Sequence, residues 1–206
     1  MYKKILYSLL ANIILLFYHS IPVSAQRFEI IPFGGYQTSA RIEAYQGSLK
    51  ITDALNYGAA FDLKFSEGYK MELSYSRMVS DLSYVFNNNS QLLCNLAVQY
   101  ISIGGLLEIN PGVRIVPFVK VAIGRTIYRP IADTIATEHV MHFDISGGVK
   151  FFISEHIGFR FQASLLLPVF IEGTYFEEAV PPPGQGIKTE VSGVQGDFTA
   201  GVIFRF

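Results

Sequence analysis

The chain has almost no cysteine and little charge. Cys94 is the single cysteine among 206 residues, so no intramolecular disulfide can form. It lies in an apolar run and reads as a small hydrophobe. With only four histidines beside it, it supplies no zinc site, and no cofactor is called for elsewhere. Charged residues make up 16% of the chain and the net charge is -1. That leaves no basic field for nucleic acid and no acidic run of the disordered kind. Long apolar runs are also missing after residue 25. Residues 164–171 are too few and include Pro168; residues 115–124 include Pro117 and Lys120. A spanning helix needs about 20 consecutive apolar residues, so none is expected in 26–206.

What the chain does have is apolarity. Half of its residues are hydrophobic, 14% are aromatic, and the mean hydropathy is +0.32. The first part of this sits in a leader, MYKKILYSLLANIILLFYHSIPVSAQ. Lys3 and Lys4 form a positive start, residues 5–17 an apolar core, and Val23 and Ala25 the small residues of a cleavage site. The pattern predicts a signal peptide over 1–25, cut before Gln26, and one exported domain over 26–206. The competing reading, a retained anchor, needs a longer run.

In the mature region the recurring period is two, which marks strands with unlike faces. In YGAAFDLKFS, Tyr57, Ala59, Phe61, Leu63 and Phe65 oppose Gly58, Ala60, Asp62, Lys64 and Ser66. The same alternation runs through 69–76, 142–153 and 157–167. It also runs through the final GDFTAGVIFRF, where Phe198, Ala200, Val202, Phe204 and Phe206 oppose Asp197 and Arg205. Less regular segments at 28–38, 92–107 and 116–128 bring the expected strands to eight. Their connections alternate strictly. They are short near 66–68, at 109–115 and near 154–156, and long at 39–56, 79–91, 129–141 and 170–193. An up-and-down barrel with rims in two compartments gives that pattern, whereas a Greek-key sandwich does not.

The residue types choose the solvent. One face of each strand carries Phe, Leu, Ile and Tyr; the other carries Gly, Ala and Ser with single charges. Isolated charges among small residues suit a crowded barrel interior, and a basic residue facing lipid near the midplane would cost about 2–4 kcal/mol. The reading is therefore all-β: an eight-stranded antiparallel transmembrane barrel. Its lumen is expected to hold a polar network of Asp62, Lys64, Glu72, Asp144, Lys150, Arg160, Gln162, Asp197 and Arg205. Lys64 is expected to pair with Glu72, and Asp197 and Arg205 with each other or with a neighbour such as Glu29. Tyr57, Tyr69, Tyr128, Phe28, Phe65 and Phe206 fall near strand ends, where aromatic girdles form.

With the leader, the alternating loops and FTAGVIFRF in hand, the chain resembles the small eight-stranded outer-membrane barrels of Gram-negative bacteria, of the OmpA and OmpX kind. In style it is similar to the barrel-domain proteins abundant in Bacteroidetes. The resemblance covers 26–206 and is one of pattern. It implies an outer-membrane location among outer-membrane lipid, periplasmic short turns and extracellular long loops. It also implies contact with periplasmic chaperones and the outer-membrane assembly machinery during biogenesis. Phe198, Val202, Phe204 and Phe206 would carry the assembly signal.

A non-enzymatic role follows: structural, narrow-pore, or surface binding of an extracellular ligand through the loops. Two alternatives stay open. One is a lipid-modifying enzyme built on Asp133, His139, His142, Asp144 and Ser146, which cluster in sequence without the geometry that defines a catalytic site. The other is a soluble, lipocalin-like lipid-binding barrel. The stretch EEAVPPPGQG, residues 177–186, reads as a stiff exposed connector or as a contact site, and 39–56 as a loop packed over the mouth or a binding loop.

Overall fold

A computed structural model describes residues 28–44, 46–87, 89–131, 135–170, 175–176 and 193–206. The expected signal peptide, the 177–186 stretch and Asp133 lie outside these. Ten strands follow in order: β1 (Phe28–Gln37), β2 (Ala40–Glu43), β3 (Ser48–Ile51), β4 (Ala54–Ser66), β5 (Tyr69–Phe86), β6 (Asn89–Glu108), β7 (Ile115–Pro130), β8 (Glu138–Phe152), β9 (Ile157–Val169) and β10 (Gln195–Arg205). No described helix is long and apolar enough to cross a membrane.

Eight of these strands close a ring in the order β5-β4-β1-β10-β9-β8-β7-β6, and β6 pairs back onto β5. Every pairing is antiparallel. The register fixes the tilt. From Met78 the paired path runs through Asn56, Gly35, Thr199, Gln162, Gly148, Phe118 and Glu108. It returns to the foot of β5 at Gly68, one residue before the strand begins, whose carbonyl accepts from the Glu108 amide, ten residues below its start. A shear of that size over eight strands tilts them by about 40° and leaves an interior that side chains can fill.

The alternation read from the sequence matches the two walls. Phe61, Leu73, Ile103, Val121, Ile145, Phe161 and Phe204 all point outward and are exposed, while Glu29, Asp62, Lys120, Lys150 and Arg160 point inward and are buried. That inversion suits lipid outside and polar groups within. At the end where the short turns lie, Phe65, Tyr69 and Phe206 are exposed, and Phe206 stacks on Phe28 with ring centroids 4.9 Å apart. At the other end Tyr36, Tyr57 and Tyr75 ring the outside. Tyr128 does not join them: it faces the lumen and is fully buried, because its even-numbered position on β7 shares a face with Lys120 and Thr126.

Two expectations about loops are corrected. The 39–56 connection contains the β2–β3 hairpin, and β3 continues β4's place beside β5 above the ring, pairing Ser48–Ile51 with Leu82–Val85. The 79–91 connection is strand rather than loop, since β5 and β6 pair as far as Phe86 and Asn89. Gly47 makes the tight turn of the small hairpin. Its φ of +74° favours glycine, and a Cβ there would lie 2.5 Å from the Val85 carbonyl.

Candidate functional site: the filled lumen

The lumen is layered. From the short-turn end to mid-height it holds five acids and five bases joined in one chain of alternating sign. Arg205 pairs with Glu29 (2.7 Å), Glu29 with Lys70 (2.7 Å) and Lys70 with Glu108 (2.7 Å). Glu108 pairs with Lys150 (2.9 Å), Lys150 with Asp62 (2.7 Å) and Asp62 with Arg160 (3.7 Å). Arg160 pairs with Glu72 (2.5 Å), Glu72 with Lys120 (2.9 Å) and Lys120 with Asp144 (2.7 Å). A second contact from Lys150 to Glu29 (2.7 Å) closes a loop within the chain. These groups come from all eight ring strands, so the network ties the ring across its diameter as well as around its wall. Two guanidinium groups also lie on aromatic faces, Arg160 at 4.5 Å from the Phe118 ring centre and Arg205 at 3.7 Å from that of Phe152.

Glycines make room for those rings. Phe118 is paired with Gly148, and a Cβ on Gly148 would sit 2.8 Å from the Phe118 ring. The same close approach sets His142 over its register partner Gly124. A bulky lumen group therefore lies across a neighbouring strand that has nothing to displace, which accounts for the glycine on the polar faces.

Above the charges lies a cavity of about 40 Å³ with Ser74, Ser76, Ser102, Asp144, Gln162 and Asp197 on its walls, space for about two or three waters. Near this level His142 lies across the adjacent strand β7 and reaches β6. Ser102 Oγ and Thr126 Oγ1 lie 2.8 and 3.0 Å from its two ring nitrogens, and Tyr100 meets it edge-on. Asn56 donates to Asp197 at 2.6 Å.

The top layer is apolar. Ile42, Leu49 and Ile51 of the hairpin are wholly buried against Met78, Leu82 and Leu96, with Tyr128, Phe170 and Phe176 completing the plug. Burying the three hairpin side chains contributes on the order of 5–9 kcal/mol, an upper bound because an unfolded chain already hides some of this surface. Polar groups seal the seam: Gln37 donates to Gln195 (3.0 Å), Tyr100 donates to the same Gln195 oxygen (2.6 Å), and Glu138 accepts from the Phe176 amide (3.0 Å).

Of the polar residues expected in the lumen, Asp62, Glu72, Asp144, Lys150, Arg160 and Arg205 join the ionic chain. Gln162 accepts from Arg160 and donates to Ser164. Lys64 is the exception. It lies on the lumen parity but at the open lower rim, register-paired with Lys70, and Glu72 is instead held by Lys120 and Arg160. Asp197 and Arg205 do not pair either. They sit eight residues apart on one strand, about 27 Å, and Arg205 turns to Glu29.

Sequence reasoning left Lys70, Glu108 and Lys120 out of the network. Lys70 and Lys120 carry the parity signal, alternating with outward apolar residues; Glu108 ends its strand, where the pattern stops. Phe198, Phe204 and Phe206 are exposed on the outer wall, with Val202 partly covered between them.

The residues considered for catalysis are separated or occupied. His139 is exposed on the outer wall and His142 is buried in the lumen. The Ser146 hydroxyl donates to Asp144 and lies against Ser164 rather than His142. Among the described residues no cluster of three His, Cys, Asp or Glu is placed to hold a metal.

No protein-family model matches the chain, and no curated protein does. Solved structures do. The Neisserial surface protein NspA is similar with a TM-score of 0.58 at 9% identity, over 87% of this chain and 97% of that one. The outer membrane protein OprG from Pseudomonas aeruginosa is similar with a TM-score of 0.60 at 12% identity, over 88% and 96%. The outer membrane protein AlkL gives 0.53 at 9%, over 91% and 95%. At such identities the likeness is one of fold, and the chain has the small closed β-barrel fold of these outer-membrane proteins.

Proposed function

We propose that the protein is an integral, non-enzymatic outer-membrane barrel, filled rather than open, that holds its long loops and the β2–β3 cap at the cell exterior. The observation that carries this reading is the inverted barrel: an apolar wall outside and a sign-alternating ion chain inside, capped by an apolar plug. A soluble lipid-binding barrel would need the reverse, and the lumen space between charges and plug is far too small for a lipid. Catalysis in the lumen is disfavoured by the same crowding, since His142, Asp144 and Ser146 are each engaged by neighbours. Structural or surface-binding roles therefore rank above conduction. In this reading residues 1–25 are removed on export. Phe198, Val202, Phe204 and Phe206 address the chain to the assembly machinery with help from periplasmic chaperones, and the outer loops are where an extracellular ligand would meet it.

The test is heat-modifiable gel mobility of the detergent-purified protein, combined with bilayer conductance. A folded filled barrel runs faster unheated and passes no steady current. Recovery in the soluble fraction without detergent would end the membrane reading. A steady open conductance would end the filled-barrel reading alone.

A further inference from the structure

One sector of the outer wall departs from its apolar pattern. Arg77 on β5 and Arg125 on β7 take outward positions above Leu73 and Tyr75 and above Val121 and Ile123. The register places Arg77 opposite Gln99 and Arg125 opposite Ile101, so the two arginines flank β6 two strand spacings, about 10 Å, apart. The strand tilt brings them level. The row through Arg77, Gln99 and Ile127 climbs by about 3 Å per strand, and Arg125 lies two residues below Ile127, so the two stems leave the wall within about 2 Å of one height. That height is the upper edge of the apolar belt, beside Tyr57 and Tyr75. Elsewhere around the ring the same level carries Tyr36, Leu55, Met141 and Phe143, all uncharged and exposed.

Neither arginine belongs to any ion pair of the described residues. The nearest outward acid on their strands, Asp81, stands four residues above Arg77. Arg77 is half-buried, and its Nε is shut off from solvent with no acceptor among the described residues. Between the arginines, the Gln99 amide oxygen takes the Tyr75 hydroxyl at 3.5 Å, which leaves the Gln99 NH₂ as a further donor. Two planar guanidinium forks and an amide thus face outward at the level where lipid headgroups begin, the donor set that phosphate recognition uses.

We infer that Arg77, Gln99 and Arg125 form a binding site for the phosphate of an outer-leaflet lipid, whose acyl chains lie along the apolar wall of β5–β7. Arg129 and His139, outward on β7 and β8 and higher up, extend the same positive sector toward a larger headgroup. The inference rests on the membrane reading above.

The experiment uses the folded protein in detergent, checked first by heat-modifiable mobility, so that a failed barrel is recognised before any lipid is added. Binding of diphosphorylated lipid A, its dephosphorylated form and phosphatidylglycerol is then measured by native mass spectrometry, with inorganic phosphate as competitor. Wild type is expected to retain the phosphorylated lipids and R77Q/R125Q to bind them at least tenfold more weakly. R77K/R125K should lose less, and R114Q, at a short turn, nothing. A preference for lipid A over phosphatidylglycerol, or the reverse, identifies the lipid source. Equal binding by wild type and R77Q/R125Q, or equal binding of the dephosphorylated lipid, would overturn the site. Displacement of the lipid by millimolar inorganic phosphate would assign it to a soluble anion instead.

Discussion

The lower and upper halves of the lumen are filled by opposite means. Below mid-height the eight ring strands fill their own interior with charge, and each ammonium or guanidinium meets carboxylates within 4 Å. Above it the filling is apolar and largely borrowed, since Ile42, Leu49 and Ile51 come from a hairpin outside the ring. The lower half must balance sign, so its parts are interdependent. The upper half must match volume, so its parts fail one at a time. A strand that leaves the membrane shows the change directly. On β5, Leu73 and Tyr75 point out toward lipid, whereas farther up Leu82 points in and Asp81 out. The solvent outside has become water, and the polarity of the alternation reverses.

The sharpest break of this contrast is Lys150→Met. Lys150 is fully buried and its ammonium meets Glu29, Asp62 and Glu108 at 2.7 to 2.9 Å. Removing it leaves Asp62 with only Arg160, at 3.7 Å, Glu29 with Lys70 and Arg205, and Glu108 with Lys70. Breaking a buried pair costs about 3–5 kcal/mol, and a loss of that size is expected. Denaturant unfolding of the barrel in lipid vesicles, followed by gel mobility, measures it. A loss under 1 kcal/mol would mean that water reaches the lower lumen and screens the network.

Leu49→Ala attacks the other half. The side chain is wholly buried in the plug, and its truncation should cost about 3 kcal/mol. That cost should fall on the hairpin rather than on the ring. Hydrogen exchange should speed up at the amides of β2 and β3, while barrel unfolding shifts far less than in Lys150→Met. If the whole barrel lost stability equally, the plug would be part of one cooperative unit with the ion chain.

Gly124→Ala tests the boundary between the halves. The new Cβ would lie 2.6 Å from the His142 ring and 2.1 Å from the Ile101 carbonyl. The imidazole cannot stay between Ser102 and Thr126, and overpacking of this kind costs about 1–3 kcal/mol. The His142 ring resonances in a nuclear magnetic resonance spectrum should move, and an unmoved ring would show that the wall itself gives way.

Which parts of this were legible beforehand follows from the same physics. Ring strands were readable because lipid outside and charge inside make each residue's parity visible, as at Phe61 and Asp62. The β2–β3 hairpin was not, because four-residue strands give too few alternations, and Ile42, Leu49 and Ile51 look alike in a loop or a plug. The extension of β5 and β6 past Val79 was hidden by the reversal described above. Tyr128 illustrates a different limit: a tyrosine near a strand end suits a girdle, and only strict counting from Lys120 assigns it to the lumen. Membership of the network was legible, but its partners were not. Pairing across the barrel depends on a shear that no single strand encodes, so Glu72 could not be matched to Lys120 and Arg160 from sequence.

Lys64 offers the smallest effect and the strictest control on the comparison. It has the right parity, a full positive charge and a neighbour of like sign in register, Lys70. It nevertheless lies at the rim, only partly covered, and joins none of the ion pairs among the described residues. Exposed charges of this kind change stability by no more than about 0.5 kcal/mol. Lys64→Ala should therefore unfold at the same denaturant midpoint as wild type, in contrast to Lys150→Met on the same inner wall. A marked loss would place the lower boundary of the ion chain at the rim itself. A small gain would fit relief of the repulsion from Lys70. In either case the depth at which a lumen charge begins to matter would be bracketed by residues 62 and 64 of one strand, about 7 Å apart.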